Sequence, residues 1–144
     1  MAKNKKAAAG FILFRIFDNT LLTLCLYDKD GRPDLPKGRC DNIDLNLFHT
    51  AQRECFEETS ILVTKNNLIS DDILSLDRLS LFCALTDQEV EIQQNPKTGK
   101  YEHIGYEWIS PTQLKNLLPA YLKPAIPWAL SIVKPYLMLR GEAI

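Results

Sequence analysis

Within six consecutive positions the chain carries Arg53-Glu54-Cys55-Phe56-Glu57-Glu58. The stretch from Leu45 to Glu58 has a helical period. At roughly 3.6 residues per turn, Leu47, Phe48, Ala51 and Cys55 share one stripe. Glu54, Glu57 and Glu58 share the adjoining arc, because their spacings are three and four. Like charges at those spacings repel. A helix that accepts this cost calls for a compensating cation. Hard divalent cations take oxygen ligands, and Mg2+ is commonly held by a few carboxylates together with substrate phosphates. Arg53 borders the arc and can orient one carboxylate through a bidentate contact. A solvated charged face would show the same letters. What separates the two readings is Lys37-Gly38-Arg39, read here as a turn that folds back over the helix start. Gly permits close backbone approach to a metal or phosphate. Lys37 and Arg39 offer cations to phosphate oxygens.

The rest of the chain reads as strands before and after this helix. Ala7 to Phe17 is a buried strand, Asp18-Asn19 a turn, and Thr20 to Tyr27 a second strand. Asp28 to Asp34 is a loop rich in turn formers. Leu79 to Leu85 is a strand, Glu89 to Gln93 alternates like a half-exposed strand, and Asn95 to Lys100 is a turn. Tyr101 to Ile109 is another strand. Ser110 caps a helix that Pro111 opens. A last helix starts near Pro124 and runs to about Leu139, with Pro135 expected to bend or end it. This order predicts an α/β fold with a mixed sheet between helical layers.

The chain has 144 residues, and 46% of them are hydrophobic. That is enough for one domain with its own core, expected to span residues 1–144 with a frayed basic tail over 1–5. The N-terminal basic and apolar run is too short for a signal sequence once Arg15 interrupts it. No stretch is long enough to span a membrane. The formal charge is −1, which argues against a broad nucleic-acid face. The cysteines are Cys25, Cys40, Cys55 and Cys83, with no CxxC and only two His. They read as reduced thiols of a cytoplasmic protein, not as a zinc site.

The segment from Gly38 to Ile61 resembles the Nudix hydrolase box. That pattern is a Gly, five residues, a Glu, seven residues, then REUxEExGU. Here it runs Gly38, Asp44, then Arg53 to Ile61, with the RE..EE core intact. Asp44 replaces the first Glu, one extra residue precedes Arg53, and Ser60 stands at the usual Gly. The first two departures bear on the contact that anchors the box loop to the Arg. The third bears on the helix exit, where a left-handed residue is favoured. A second pattern, Glu102-His103-Ile104-Gly105-Tyr106-Glu107-Trp108, fits EHxxYxW. With Ala7 to Arg15 and Leu35 to Arg39, it is similar to the asymmetrical diadenosine tetraphosphate hydrolases of that family.

The resemblance implies an α/β/α sandwich of Nudix type and Mg2+- or Mn2+-dependent cleavage of a phosphoanhydride. The substrate is a small nucleotide, the implied example being diadenosine tetraphosphate cut to ATP and AMP. By resemblance, Glu54, Glu57, Glu58 and the Lys37 backbone carbonyl hold the divalent ion. Glu102 is either a further ligand or base, or a surface carboxylate at a strand end. Glu54 or Glu102 takes the proton from water, and Arg53 orients the carboxylates. Lys37, Arg39 and His103 are candidates for phosphate contacts, and Tyr106 for stacking on a base. Competing readings are an mRNA-cap or diphosphoinositol polyphosphate hydrolase, and a silent nucleotide-binding module. RNA is not favoured as a partner at this charge, and a monomer or homodimer is expected.

Overall fold

The computed structural model describes residues 7–142, so the tail expected over residues 1–5 lies outside the described part. Strands β1 (Ala8–Phe17) and β2 (Thr20–Asp28) form the expected hairpin. Its turn residues Asp18 and Asn19 have φ of 52° and 59°. Two successive left-handed residues match the twist of a hairpin, and Asp and Asn tolerate that conformation.

The two strands pair only next to their turn, with residues 14–17 opposite residues 20–23. Beyond that they diverge and leave unpaired backbone groups on facing edges. Two short strands fill the gap: β3 (Pro33–Asp34) pairs with β2 and β4 (Lys37–Arg39) with β1. Lys37-Gly38-Arg39 is therefore a strand, not the turn expected from its composition. The expected loop over 28–34 likewise ends in a strand. Both corrections share one cause: backbone groups left open by β1 and β2 must find partners.

Helix α1 (Leu47–Thr59) begins two residues later than its apolar pattern suggests, because Asn46 caps it. The Asn46 side chain accepts from His49 N at 2.8 Å. Strands β5 (Leu74–Leu76) and β6 (Leu79–Leu85) follow, and β6 runs parallel to β1. Strand β7 (His103–Ile109) pairs antiparallel with β2. Helices α2 (Pro111–Leu117) and α3 (Ala125–Leu139) close the described chain. The seven strands form one mixed sheet. On one face Ala51 and Cys55 of α1 pack with Phe11, Leu24 and Phe82. On the other, Leu114 of α2 and Ala129, Val133 and Leu137 of α3 pack with Ile12, Phe14 and Leu81. The molecule is an α/β/α sandwich.

One further expectation fails. Residues 89–93 are not a strand, although Val90 is buried between exposed neighbours. Their alternation is created by the end of α1: Glu91 N donates to Thr59 O at 2.8 Å, and Ser60 Oγ donates to Glu91 O at 2.8 Å. Pro135 does not end α3, which continues to Leu139. The carbonyl it leaves unpaired, four residues back at Ser131, belongs to an exposed residue that water can reach. Cys25, Cys55 and Cys83 are buried free thiols and Cys40 is half-buried. No helix among the described residues is long and apolar enough to cross a membrane.

Gly10 sets how closely β4 approaches β1. A Cβ there would lie 2.4 Å from Lys37 Cβ and 2.4 Å from the Pro36 carbonyl. Gly10→Ala is expected to destabilise the protein by about 1–3 kcal/mol. A denaturant midpoint equal to wild type would contradict this packing.

Candidate active site

Arg53 is the centre of the site. Its Nε and Nη2 donate to the two Asp44 oxygens at 2.8 and 2.9 Å, and Nη2 also donates to the Arg39 carbonyl at 3.0 Å. The third nitrogen, Nη1, lies 3.4 Å from Glu57 and 3.7 Å from Glu54. Asp44 thus makes the bidentate contact across the extra residue of its loop. Its side chain is 3% exposed. Asp41 N and Thr50 Oγ1 both donate to it at 2.8 Å. The hydrogen bonds from Arg53 hold its carboxyl well below the usual carboxylate range, against the opposing effect of burial.

Gly38 lies against Glu54. A Cβ on Gly38 would come within 2.0 Å of the Glu54 carboxyl carbon, so any side chain there would displace that carboxylate from its present position. Glu54 Oε2 is buried and has no hydrogen-bond partner. Burial pushes the Glu54 carboxyl up to about 7; Arg53 opposes this, while Glu57 and Glu102 add to it. Glu58 is 8% exposed. Burial and then the Glu54 charge raise it well above its ordinary value, although Lys37 N donates to its Oε1 at 3.0 Å. That donor is available because the β1–β4 register turns the Lys37 peptide groups away from β1.

The period of two in β4 places Gly38 over α1 and sends the Lys37 and Arg39 side chains to the opposite face. There they share a cavity of about 290 Å³ with Arg78 and Tyr121. Lys37 Nζ pairs with Asp34 at 3.3 Å. Burial works against the Lys37 charge, but Asp34 and then Tyr121 outweigh it and the pKa is raised. The same β4 residues also form one wall of a cavity of about 450 Å³, opposite Arg53, Glu54 and Glu57 of α1 and beside Glu102. Asn95 Nδ2 donates to Glu102 Oε1 at 2.8 Å.

The structure therefore brings Lys37, Arg39, Arg53, Glu54, Glu57 and Glu102 around one cavity. Glu58 and His103 lie behind that wall, His103 being 6% exposed. Tyr106 is 40% exposed on β7 and does not line the cavity. Sequence reasoning missed Asp34, Asn95 and Lys97. Asp34 sits in a stretch whose composition signals only turns. Lys97 pairs with Asp41 at 2.9 Å across 56 positions, a contact no local pattern announces.

An orphaned buried oxygen, a glycine cradle filled by a carboxylate and a set of hard oxygen donors all fit a divalent cation. In its absence the raised Glu54 pKa has a cost. A carboxyl with a folded pKa near 7 holds a proton that the unfolded chain has released, so stability falls as pH rises from about 4.3 to 7. The cation-free protein is expected to lose thermal stability across that window, and Glu54→Gln to flatten the loss. A wild-type melting temperature constant from pH 5 to 8 in chelator would refute this. Asp44 works in the opposite sense. Its contribution is full above about pH 4 and is lost as pH falls through its lowered folded value. Asp44→Ala leaves Arg53 without its main partner, with an expected loss of about 3 kcal/mol by chemical denaturation.

Comparison with known proteins places this arrangement. The family model described as NUDIX domain matches residues 5–129. No curated protein matches the chain. Among solved structures, an Ap4A hydrolase of C. elegans in a binary complex superposes with a TM-score of 0.70 at 17% identity, covering 91% of this chain and 99% of that one. The NUDIX domain of Shewanella oneidensis NrtR, complexed with ADP ribose, gives 0.63 at 18% identity, covering 90% and 88%. The E. coli dihydroneopterin triphosphate pyrophosphohydrolase gives 0.62 at 17% identity, covering 92% and 99%.

Proposed function

The chain belongs to the Nudix family of hydrolases that act on phosphorus-containing acid anhydrides, and we propose that it cleaves a dinucleoside polyphosphate, diadenosine tetraphosphate to ATP and AMP, by water attack on phosphorus. The observation that carries this reading is the convergence of Glu54, Glu57 and Glu102 with the glycine strand β4 on one cavity. The EHxxYxW pattern at Glu102 to Trp108 supports this choice of substrate.

Glu54, Glu57, Glu58, Glu102 and the Lys37 carbonyl would hold Mg2+ or Mn2+. When bound, a divalent ion supplies charge neutralisation at the phosphate oxygens and acidifies coordinated water. Arg53 fixes Glu57 and Glu54 in place through the Asp44 clamp. Glu54, whose second oxygen has no hydrogen-bond partner, takes the proton from the attacking water. Lys97 lies on the cavity rim and attracts the remaining phosphates. Attack on phosphorus needs alignment and charge compensation more than covalent chemistry. The intact Asp44–Arg53 contact supports an active enzyme over a silent nucleotide-binding module.

The test is product release, with Mg2+ and then Mn2+, from diadenosine tetraphosphate, capped RNA, a diphosphoinositol phosphate and ADP-ribose. Diadenosine tetraphosphate is expected to give ATP plus AMP with the highest kcat/KM. Glu54→Gln is expected to lower kcat about 10²-fold or more. Preference for another substrate would replace the dinucleotide reading. Nucleotide binding without cleavage of any of the four would replace the enzyme mechanism.

A further inference from the structure

At the cavity wall, Glu58 and His103 from behind and Glu102 from the cavity side place one ligand atom each within 4.8 Å of one another. In Glu58 and Glu102 one oxygen is already tied down and the other is left over. Glu58 Oε1 accepts from Lys37 N at 3.0 Å, which leaves Oε2. Glu102 Oε1 accepts from Asn95 at 2.8 Å, which leaves its second oxygen. His103 Nε2 faces Asp34 Oδ2 at 4.0 Å, while Nδ1 faces Glu58 Oε2 at 3.7 Å. Neither His103 distance is a hydrogen bond, so a ring 6% exposed lies between two carboxylates without bonding directly to either.

The 3.7 Å between His103 Nδ1 and Glu58 Oε2 suits an ion better than a direct pair. Two donors each about 2.1 Å from one metal lie roughly 3 Å apart at a right angle and at most about 4.2 Å apart, so the trio closes onto one ion as the exposed Glu102 side chain draws in. Asp34 completes the arrangement. Lys37 Nζ holds its Oδ1 at 3.3 Å, which leaves Oδ2 for the imidazole. A carboxylate behind a histidine ligand is the usual device that fixes the ring tautomer, with N–H toward the carboxylate and the lone pair toward the metal. The backbone contributes as well: a register shift opposite Tyr27 and Asp28 of β2 falls where β7 delivers His103.

We infer that His103, Glu58 and Glu102 form a mixed nitrogen–oxygen site for a divalent transition ion, with Asp34 as the residue that positions the imidazole. The inference deepens the metal-dependent reading above and rests on it for Glu58 and Glu102. It moves His103 from phosphate contact to metal ligand. An imidazole donor favours Co2+ or Zn2+, and to a smaller degree Mn2+, over Mg2+, which prefers oxygen and retains its waters. Glu54 and Glu57 remain an all-oxygen set, and Glu58 lies between the two groups.

The test is Co2+ and Mn2+ binding to the full chain without substrate, by calorimetry and by NMR of the ring protons. His49 is the other histidine and serves as internal control. It lies at the start of α1, where Nδ1 already accepts from Leu45 N at 3.0 Å. Co2+ is expected to produce contact-shifted resonances from His103 and none from His49. His103→Gln is expected to weaken Mn2+ binding at one site about 10- to 100-fold and to leave Mg2+ binding unchanged. Asp34→Asn keeps the shape of the side chain and is expected to weaken Mn2+ about 10-fold, which separates positioning from loss of fold. Unshifted His103 resonances, or equal Mn2+ affinity in wild type and His103→Gln, would overturn the site while leaving the Glu54–Glu57 reading intact. His103-dependent ion binding in a protein that ignores diadenosine tetraphosphate would sustain the site and remove only the substrate assignment.

Discussion

One guanidinium holds the centre of this protein together. Arg53 reaches Asp44 in the loop before α1, the Arg39 carbonyl of β4, and Glu57 and Glu54 of its own helix. Three acidic side chains at spacings of three and four would otherwise splay apart. Arg53 gives two of them a counter-charge, while Glu58 receives a backbone N–H from Lys37. Its attraction to Asp44 is strong because the Asp44 side chain is almost wholly removed from water. Loop, strand and helix are therefore fixed relative to one another by a single planar group that no lysine could replace.

The same region depends on a topological constraint. Strands β1 and β2 part after a short paired stretch, and residues 33–39 fill the opening. Missing side chains at two positions make the fit possible: Gly10 admits the β4 backbone, and Gly38 admits the Glu54 carboxylate. The insertion also turns the Lys37 and Arg39 peptide groups toward α1, where Glu58 and Arg53 meet them. The fold and the candidate site thus rest on one feature.

What could be read from the letters follows from this. The arc of Glu54, Glu57 and Glu58 was legible because a helix imposes its own period. The apolar stripe of Ala51 and Cys55 was legible for the same reason, and both residues are fully buried. β4 was not legible, because three residues become a strand only when a distant pair of strands leaves them partners. Residues 89–93 carry a true alternation, but the groups they bind belong to a helix exit, and period alone does not say which surface is burying a side chain. Ser60 sits left-handed at φ 67°, where Gly is usual. Its hydroxyl bonds the Glu91 carbonyl and accepts from Gln93 Nε2, contacts a glycine could not make.

Charge in this protein is sorted by strand alternation. The backbone of β4 serves α1, and the side chains of β4 serve the other face. The Lys37 ammonium is committed to Asp34 there, and Asp34 in turn faces His103. A lysine that reads from sequence as a phosphate grip thus acts at both ends as a brace: its backbone N–H holds one oxygen of Glu58, and its ammonium holds the carboxylate behind the imidazole. Glu58 and His103, 3.7 Å apart, are therefore anchored from a single residue of β4. Any movement of β4 in the split would disturb the carboxylate and the imidazole together. That coupling explains why a strand of three residues is secured on every side, by β1 through its ladder, by Arg53 through a carbonyl and by Asp34 through a side chain.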